Sequence, residues 1–416
     1  MTGCAESRGG SRDIAILREL ARRYMDVCHK PVQQERRDLW RRHNSLKPTR
    51  PLIYVRAWAW KEMPQSRCEC EDPFYREYED FFRRRLFWDT LDDDSIFEPW
   101  VTVNAVKKLP PEGIWGLPVP KTYSDKGGFR WEPPIKKLED AERLAVPSHV
   151  IDEEATAKKT ARLRDAIGDI IPVVTDRSPA WRMWDADIST QLGYLRGIEQ
   201  MMVDMVENPA WLHSLLARMR DGILKAQEEA EKAGDWRLCN HQNQAMPYAE
   251  ELRDPAAESE PVRRSELWCF CASQETTAVG PDMFEEFMLQ YQIPIVEKFG
   301  LVAYGCCEDL TRKIGKLKRI RNLRRIAVTP FADVARCAEQ IGKDYVISYR
   351  PSPADMVAYG FNEERIKGIL RNALSACRGL HVDITLKDVE TVEGDENRVR
   401  NWVRLTRETI EEVWKD

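Results

Sequence analysis

The run Leu301 to Leu310, LVAYGCCEDL, ends an apolar stretch in two adjacent cysteines, a glutamate and an aspartate. A thiolate, a carboxylate and an imidazole together make a ligand set for zinc, which can polarise a departing oxygen or sulfur as a Lewis acid. His241, in the polar run His241-Gln242-Asn243-Gln244, offers the imidazole. Cys306, Cys307, Glu308 and His241 are therefore the expected metal set, with Glu308 and His241 also able to move protons. If the segment stays extended, successive side chains alternate and only one of Cys306 and Cys307 faces the site. The plain alternative is a pair of small buried side chains.

Other groups with chemical potential stand at the ends of apolar runs. Lys387 and Asp388 follow HVDITL, and Lys387 held by Asp388 is a candidate general acid. Arg56 and Arg350 are candidate anchors for a carboxylate or another anion. Trp58, Gln242, Gln274, Glu275 and Tyr349 complete the expected substrate-binding set. Each residue alone reads as readily as a structural hydrogen-bonder or core group, but together they fall at strand ends that would converge on one mouth.

Repeated strand-helix units must position them. Strand-like runs stand at 51–60, 92–101, 170–174, 236–239, 267–271, 301–306, 325–328, 345–349 and 380–386, with amphipathic helical patterns at 153–167, 192–206 and 209–233. The alternation predicts an α/β protein with a parallel sheet, specifically a (β/α)8 TIM barrel over 51–416 preceded by an N-terminal helical extension over 1–50. A Pro-, Gly- and Trp-rich excursion at about 105–147 reads as a lid or β-insert, since Trp115, Phe129 and Trp131 need something to pack on.

The chain has 416 residues, 43% hydrophobic and 32% charged, enough apolar material for a large core. No run reaches the roughly 20 apolar residues that span a bilayer, and MTGCAESRGGSRD lacks a signal-peptide core, so neither membrane insertion nor export is expected. A net charge of −5 with interleaved signs gives no reason to expect nucleic acid, and the basic run from Arg312 to Arg325 reads as a solvated helix and loop. Eleven scattered cysteines suggest reduced thiols in a cytoplasmic protein. Cys269 and Cys271 read as one face of a strand. Fourteen tryptophans, several near the expected mouth, suit an aromatic or otherwise apolar substrate.

The succession YGCCE, then Asn322 to Met356, then HVDITLKDVETVEGDENRVRNWVRLTRETIEE, resembles the uroporphyrinogen decarboxylase-like superfamily. That superfamily contains the tetrapyrrole decarboxylase and corrinoid-dependent methyltransferases, all on (β/α)8 barrels. The likeness runs from about Pro51 to the C-terminus. Where the decarboxylase carries Arg-Gln-Ala-Gly-Arg, this chain has Arg56-Ala57-Trp58-Ala59-Trp60, keeping the first arginine only, and Phe97-Glu98-Pro99 stands where an aspartate follows Phe-Ser. Uroporphyrinogen is therefore not the expected substrate. The methyltransferase branch binds zinc through His-x-Cys and a later Cys; here these become Tyr304-Gly305-Cys306 and the Lys387-Asp388 region.

The resemblance implies methyl transfer from a small methylated compound, such as a methoxy-aromatic undergoing O-demethylation, to a corrinoid carried by a partner protein, with zinc as an added cofactor and a homodimer as a common family state. The alternatives are a decarboxylase of another carboxylated substrate, with Lys387 or His241 as proton donor, and a ligand-binding barrel without turnover.

Overall fold

The computed structural model describes residues 3–56, 58–124 and 128–414. Among them the strands are β1 (Leu52–Val55), β2 (Val101–Asn104), β3 (Lys121–Tyr123), β4 (Phe129–Trp131), β5 (Val173–Asp176), β6 (Trp268–Cys271), β7 (Leu301–Tyr304), β8 (Leu323–Val328), β9 (Val346–Tyr349) and β10 (His381–Leu386). Six of them form one parallel sheet in the order β1-β10-β9-β8-β7-β6; β2 and β5 form a separate parallel pair, and β3 and β4 an antiparallel hairpin. The class is mixed α/β, and the ladders do not close into the expected eight-stranded ring among the described residues.

The sheet is strongly curled. Lys387, just past β10, reaches the sulfur of Cys306, just past β7, although β9 and β8 lie between them. On a flat sheet those strands would stand roughly 14 Å apart, farther than a lysine spans. Irregular chain meets both edges of the sheet. Along β1 the carboxylates of Asp94 and Asp93 accept the backbone N–H of Ile53 and Val55, both at 2.7 Å, and Asp94 N–H returns a bond to the Ile53 carbonyl. Side chains thus replace a ladder, which is why 92–100 is not a strand although its apolar residues suggested one. On the other side Gln242 N–H donates to the Trp268 carbonyl and Asn240 Nδ2 donates to Asp176, so the segment after Trp236, also expected as a strand, spans from β5 to β6 as a 3-10 turn and loop.

Two helices, Gly3–Cys28 and Pro31–Asn44, precede β1, and the second covers the N-terminal end of the sheet. Trp40 donates to the Asp94 carbonyl at 2.6 Å, and His43 meets Asp383 inside the sheet at 3.2 Å. Asp383 also pairs with Arg325 at 2.8 Å and accepts from Ser348 and Thr385. The basic run beginning at Arg312 is thus not simply solvated: Arg325 is buried in this network, and the buried Lys313 donates to the Thr276 carbonyl. The excursion forms the β3–β4 hairpin and packs on the helix Ile188–Arg196, where Trp115 donates to Gln191 and Trp131 to the Gly193 carbonyl. No helix among the described residues is long and apolar enough to cross a membrane.

Candidate active site

Strand alternation would put Cys306 on the same side as Tyr304, whose hydroxyl points away from the sheet interior to Gln292. Gly305 breaks that rule. It holds φ +102, a left-handed conformation that L side chains rarely adopt, and the turn brings Cys306 against Phe270 and Ala272 on the interior face. Both thiols then reach one place, their sulfurs 3.6 Å apart, so the expectation that only one could face the site is corrected. A Cβ at Gly305 would lie 2.7 Å from Leu310 Cδ1 and 2.9 Å from Ala327 Cβ. Gly305→Ala is therefore expected to cost roughly 2–3 kcal/mol through backbone strain and overpacking, read as a lowered urea midpoint. An unchanged midpoint would mean that the turn is not rigid.

Lys387 lies on the same face of β10 as Asp383 and Thr385 and is buried. Its ammonium donates to Cys307 at 3.1 Å and to Cys306 at 3.4 Å, and it pairs closely with Asp388, which holds an unusual positive φ of 57°. Cys307 is exposed, and its thiol is pushed down to about 6, first by the hydrogen bond from Cys306 and then by the charge and hydrogen bond of Lys387. Cys306 is pushed up, because it supplies that hydrogen bond and is buried. Burial opposes the charge on Lys387, yet Cys306 and Asp388 raise its pKa overall. The cluster holds a proton on Lys387 and a thiolate on the cysteine pair.

Glu308 is not a free acid or ligand here. Its two oxygens accept the backbone N–H of Ser273 (2.8 Å) and Cys306 (2.7 Å), tying the end of β6 to the turn after β7. Arg350 donates to the Cys306 carbonyl at 2.6 Å, while its buried Nε has no partner. These two residues position the thiols.

His241 is also committed. Nδ1 accepts from Trp268 N–H at 3.2 Å, which leaves the proton on Nε2 to be donated to the Arg253 carbonyl at 3.1 Å. Burial pushes its pKa down to about 4, so the ring is a neutral pin for the loop. The zinc set therefore does not fit this geometry: the imidazole and the carboxylate are occupied, the thiols face an ammonium, and no group of three or more His, Cys, Asp and Glu side chains gathers for a metal among the described residues.

Met183 and Trp184, which pack on the Phe270, Ala272 and Cys306 cluster, also wall a cavity of about 670 Å³ together with Arg56, Lys107, Arg182, Gln242 and Gln244 among others. The expected residues Arg56 and Gln242 are there, and Arg56 faces Arg350 electrostatically, linking the cavity to the thiol cluster. Other expected substrate contacts lie elsewhere. Trp58 is buried among Trp60, Phe87 and Trp88. Glu275, with Gln274 bonded to it, accepts from Ser189 and Thr190 and anchors the helix Ile188–Arg196. Tyr349 points out of the sheet interior, because its neighbours Ser348 and Arg350 point in. Lys107 and Arg182 were not among the expected site residues, and Gln244, though it stands with His241 and Gln242 at a polar strand tip, lay outside the expected substrate-binding set. The chemical signal for Gln244 was present in its i, i+2 spacing from Gln242 in an extended polar run.

No family model and no curated protein matches the sequence. Among solved structures, a methyltransferase from Methanosarcina mazei is similar in fold, with a TM-score of 0.53 at 12% identity over 90% of this chain and 98% of that one. At that identity the likeness establishes a shared α/β fold, and the activity has to be argued from the site.

Proposed function

We propose that the chain is a methyltransferase that takes a methyl group from a small anionic methylated compound, such as a methoxy-aromatic carboxylate, and delivers it to a corrinoid on a partner protein. We read the curled sheet with the β2–β5 pair as a (β/α)8 barrel of the uroporphyrinogen decarboxylase type, in a cytoplasmic and dimeric protein. The observation that carries the reading is the buried Lys387 ammonium at the sheet mouth, within 3.4 Å of two thiols, one of which, Cys306, belongs to the cluster on which Met183 and Trp184 of a cation-lined cavity wall pack. The corrinoid supplies the nucleophile that accepts the methyl group. Arg56 holds the substrate anion. As the methyl–oxygen bond breaks, the oxygen takes a proton from Lys387 Nζ, and Asp388 keeps that nitrogen oriented. No step uses zinc.

The test uses 4-methoxybenzoate and related methyl ethers with free cob(I)alamin as acceptor, following the released phenol by chromatography. Lys387→Met is expected to lose roughly 100-fold or more in rate. Absence of phenol across the panel, or a wild-type rate in Lys387→Met, would sink the reading. The cationic wall and a proton donor also suit decarboxylation of a carboxylated aromatic, with Lys387 protonating the carbanion; release of carbon dioxide without any acceptor would select that reading instead.

A further inference from the structure

The wall of the cavity contains an anomaly that methyl transfer alone does not explain. Gln244 is only 5% exposed, yet neither its Nε2 nor its Oε1 has a hydrogen-bond partner. Gln242, also 5% exposed, spends its Oε1 on Met183 N–H at 2.8 Å and leaves Nε2 unpartnered. Buried amides are almost always paired, so three orphaned atoms on one short segment mark a place where a ligand supplies the partners. The segment is rigid enough to present them. His241 is bonded through both nitrogens, Asn243 closes a turn onto Ala245 N–H at 2.6 Å, and Trp268 Nε1 holds the Pro247 carbonyl. Met183, which receives Gln242, has a positive φ of 50°, a conformation that costs energy and must be held by its surroundings.

The rest of the wall selects charge and shape. Arg56 makes no ion pair among the described residues. Lys107 faces Asp176, Arg182 and Asp185 without a close pair to any of them, and Arg182 is bound to Asp176. Against these cations the wall carries the carboxylate of Asp185. Trp184, set edge-to-face on Phe270 with centroids 4.7 Å apart, contributes a flat apolar side.

We infer that the cavity binds a small planar anion that also carries a lactam edge: Gln244 pairs with adjacent N–H and C=O groups on that edge, Gln242 Nε2 donates to a second acceptor, and Arg56 with Lys107 holds the anionic group. The inference deepens the proposed function by naming the substrate class, and rests on the mouth being a substrate site. Binding is measured without turnover, so a failure of methyl transfer leaves it standing and a failure of binding leaves the thiol chemistry standing.

The probes are orotate, which has both a lactam edge and a carboxylate; benzoate, which has the carboxylate alone; and uracil, which has the edge alone. Calorimetric titration of the full chain is expected to give orotate a Kd roughly tenfold or more below those of benzoate and uracil. Gln244→Met should weaken orotate and uracil by roughly tenfold while leaving benzoate within about twofold; Arg56→Met should weaken orotate and benzoate but not uracil. The unaffected probe in each variant reports an intact fold. Orotate binding no tighter than benzoate, or unchanged in Gln244→Met, would overturn the inference.

Discussion

Cys307 is expected to be alkylated by iodoacetamide as a thiolate, with a pH midpoint near 6, where an ordinary exposed cysteine titrates near 8.5. The sign follows from the pair. The group is deprotonated above about 6, so the rate should be flat at neutral pH and fall as acid is added. The hydrogen bond from Cys306 is the first cause and Lys387 the next, so Cys306→Ala and Lys387→Met should each raise the midpoint, by roughly one unit or more. At pH 6.5 a one-unit rise cuts the thiolate fraction roughly threefold, and the greater intrinsic nucleophilicity of a higher-pKa thiol offsets most of that loss, so the midpoint of the pH series and not the rate at one pH reads the effect. Mass spectrometry of peptides alkylated over a pH series measures this. A wild-type midpoint above 8, or one indifferent to Lys387, would show that the ammonium does not hold a thiolate. Because the same ammonium is the proposed proton donor, the alkylation midpoint and the methyl-transfer rate should both respond to this one substitution.

The residues at regular strand ends were the legible part of this site. Arg56, Arg350 and Lys387 directly follow strand-like runs, and the strand rule brings such positions to one mouth whatever their partners. What defeated the reading was commitment to distant backbone. His241 looks like a free imidazole until Trp268 N–H and the Arg253 carbonyl claim it, and Glu308 looks like an acid until Ser273 and Cys306 N–H occupy it. Neither fact has a local signal. Gly305 did have one, since a glycine between an extended run and two cysteines permits a turn, yet alternation was applied through it. Lys107 and Gln244 sit on irregular chain, where no periodicity says which way a side chain points. The strand-like pattern at 92–101 failed for a different reason: Asp93 and Asp94 answer the amides of β1 with carboxylates, a substitution of side chain for backbone that hydrophobic pattern cannot register.

The buried network at the other end of the sheet should show the largest stability effect. Asp383 is fully buried and holds Arg325, His43, Ser348 and Thr385 at once. Asp383→Ala would leave the Arg325 guanidinium buried against Ser348 Oγ and Asn44 Oδ1 alone, and removing one partner of a buried pair costs roughly 3–5 kcal/mol. Replacing both charges, as in Asp383→Leu with Arg325→Met, should recover most of that loss, because no unpaired charge remains.

The pH dependence has a definite sign. Burial alone would raise the carboxyl pKa, but Arg325, then His43 and Ser348, hold it down at about 2 against an ordinary 3.8. Its contribution is therefore complete above about 4 and is lost as pH falls through about 2. His43 is pushed down by burial, so its contribution is present above its ordinary 6.5 and declines as pH falls below that value. Urea midpoints taken at pH 7, 5 and 3 should fall in that order in wild type, with a smaller fall in the double variant. Since Lys387 stands four residues beyond Asp383, roughly 13 Å along the strand, folded Asp383→Ala at low temperature should keep the Cys307 alkylation midpoint near 6. A midpoint that moved with Asp383 would show that the buried Asp383 network and the thiol mouth share one electrostatic network, and the stability loss could no longer be assigned to the buried pair alone.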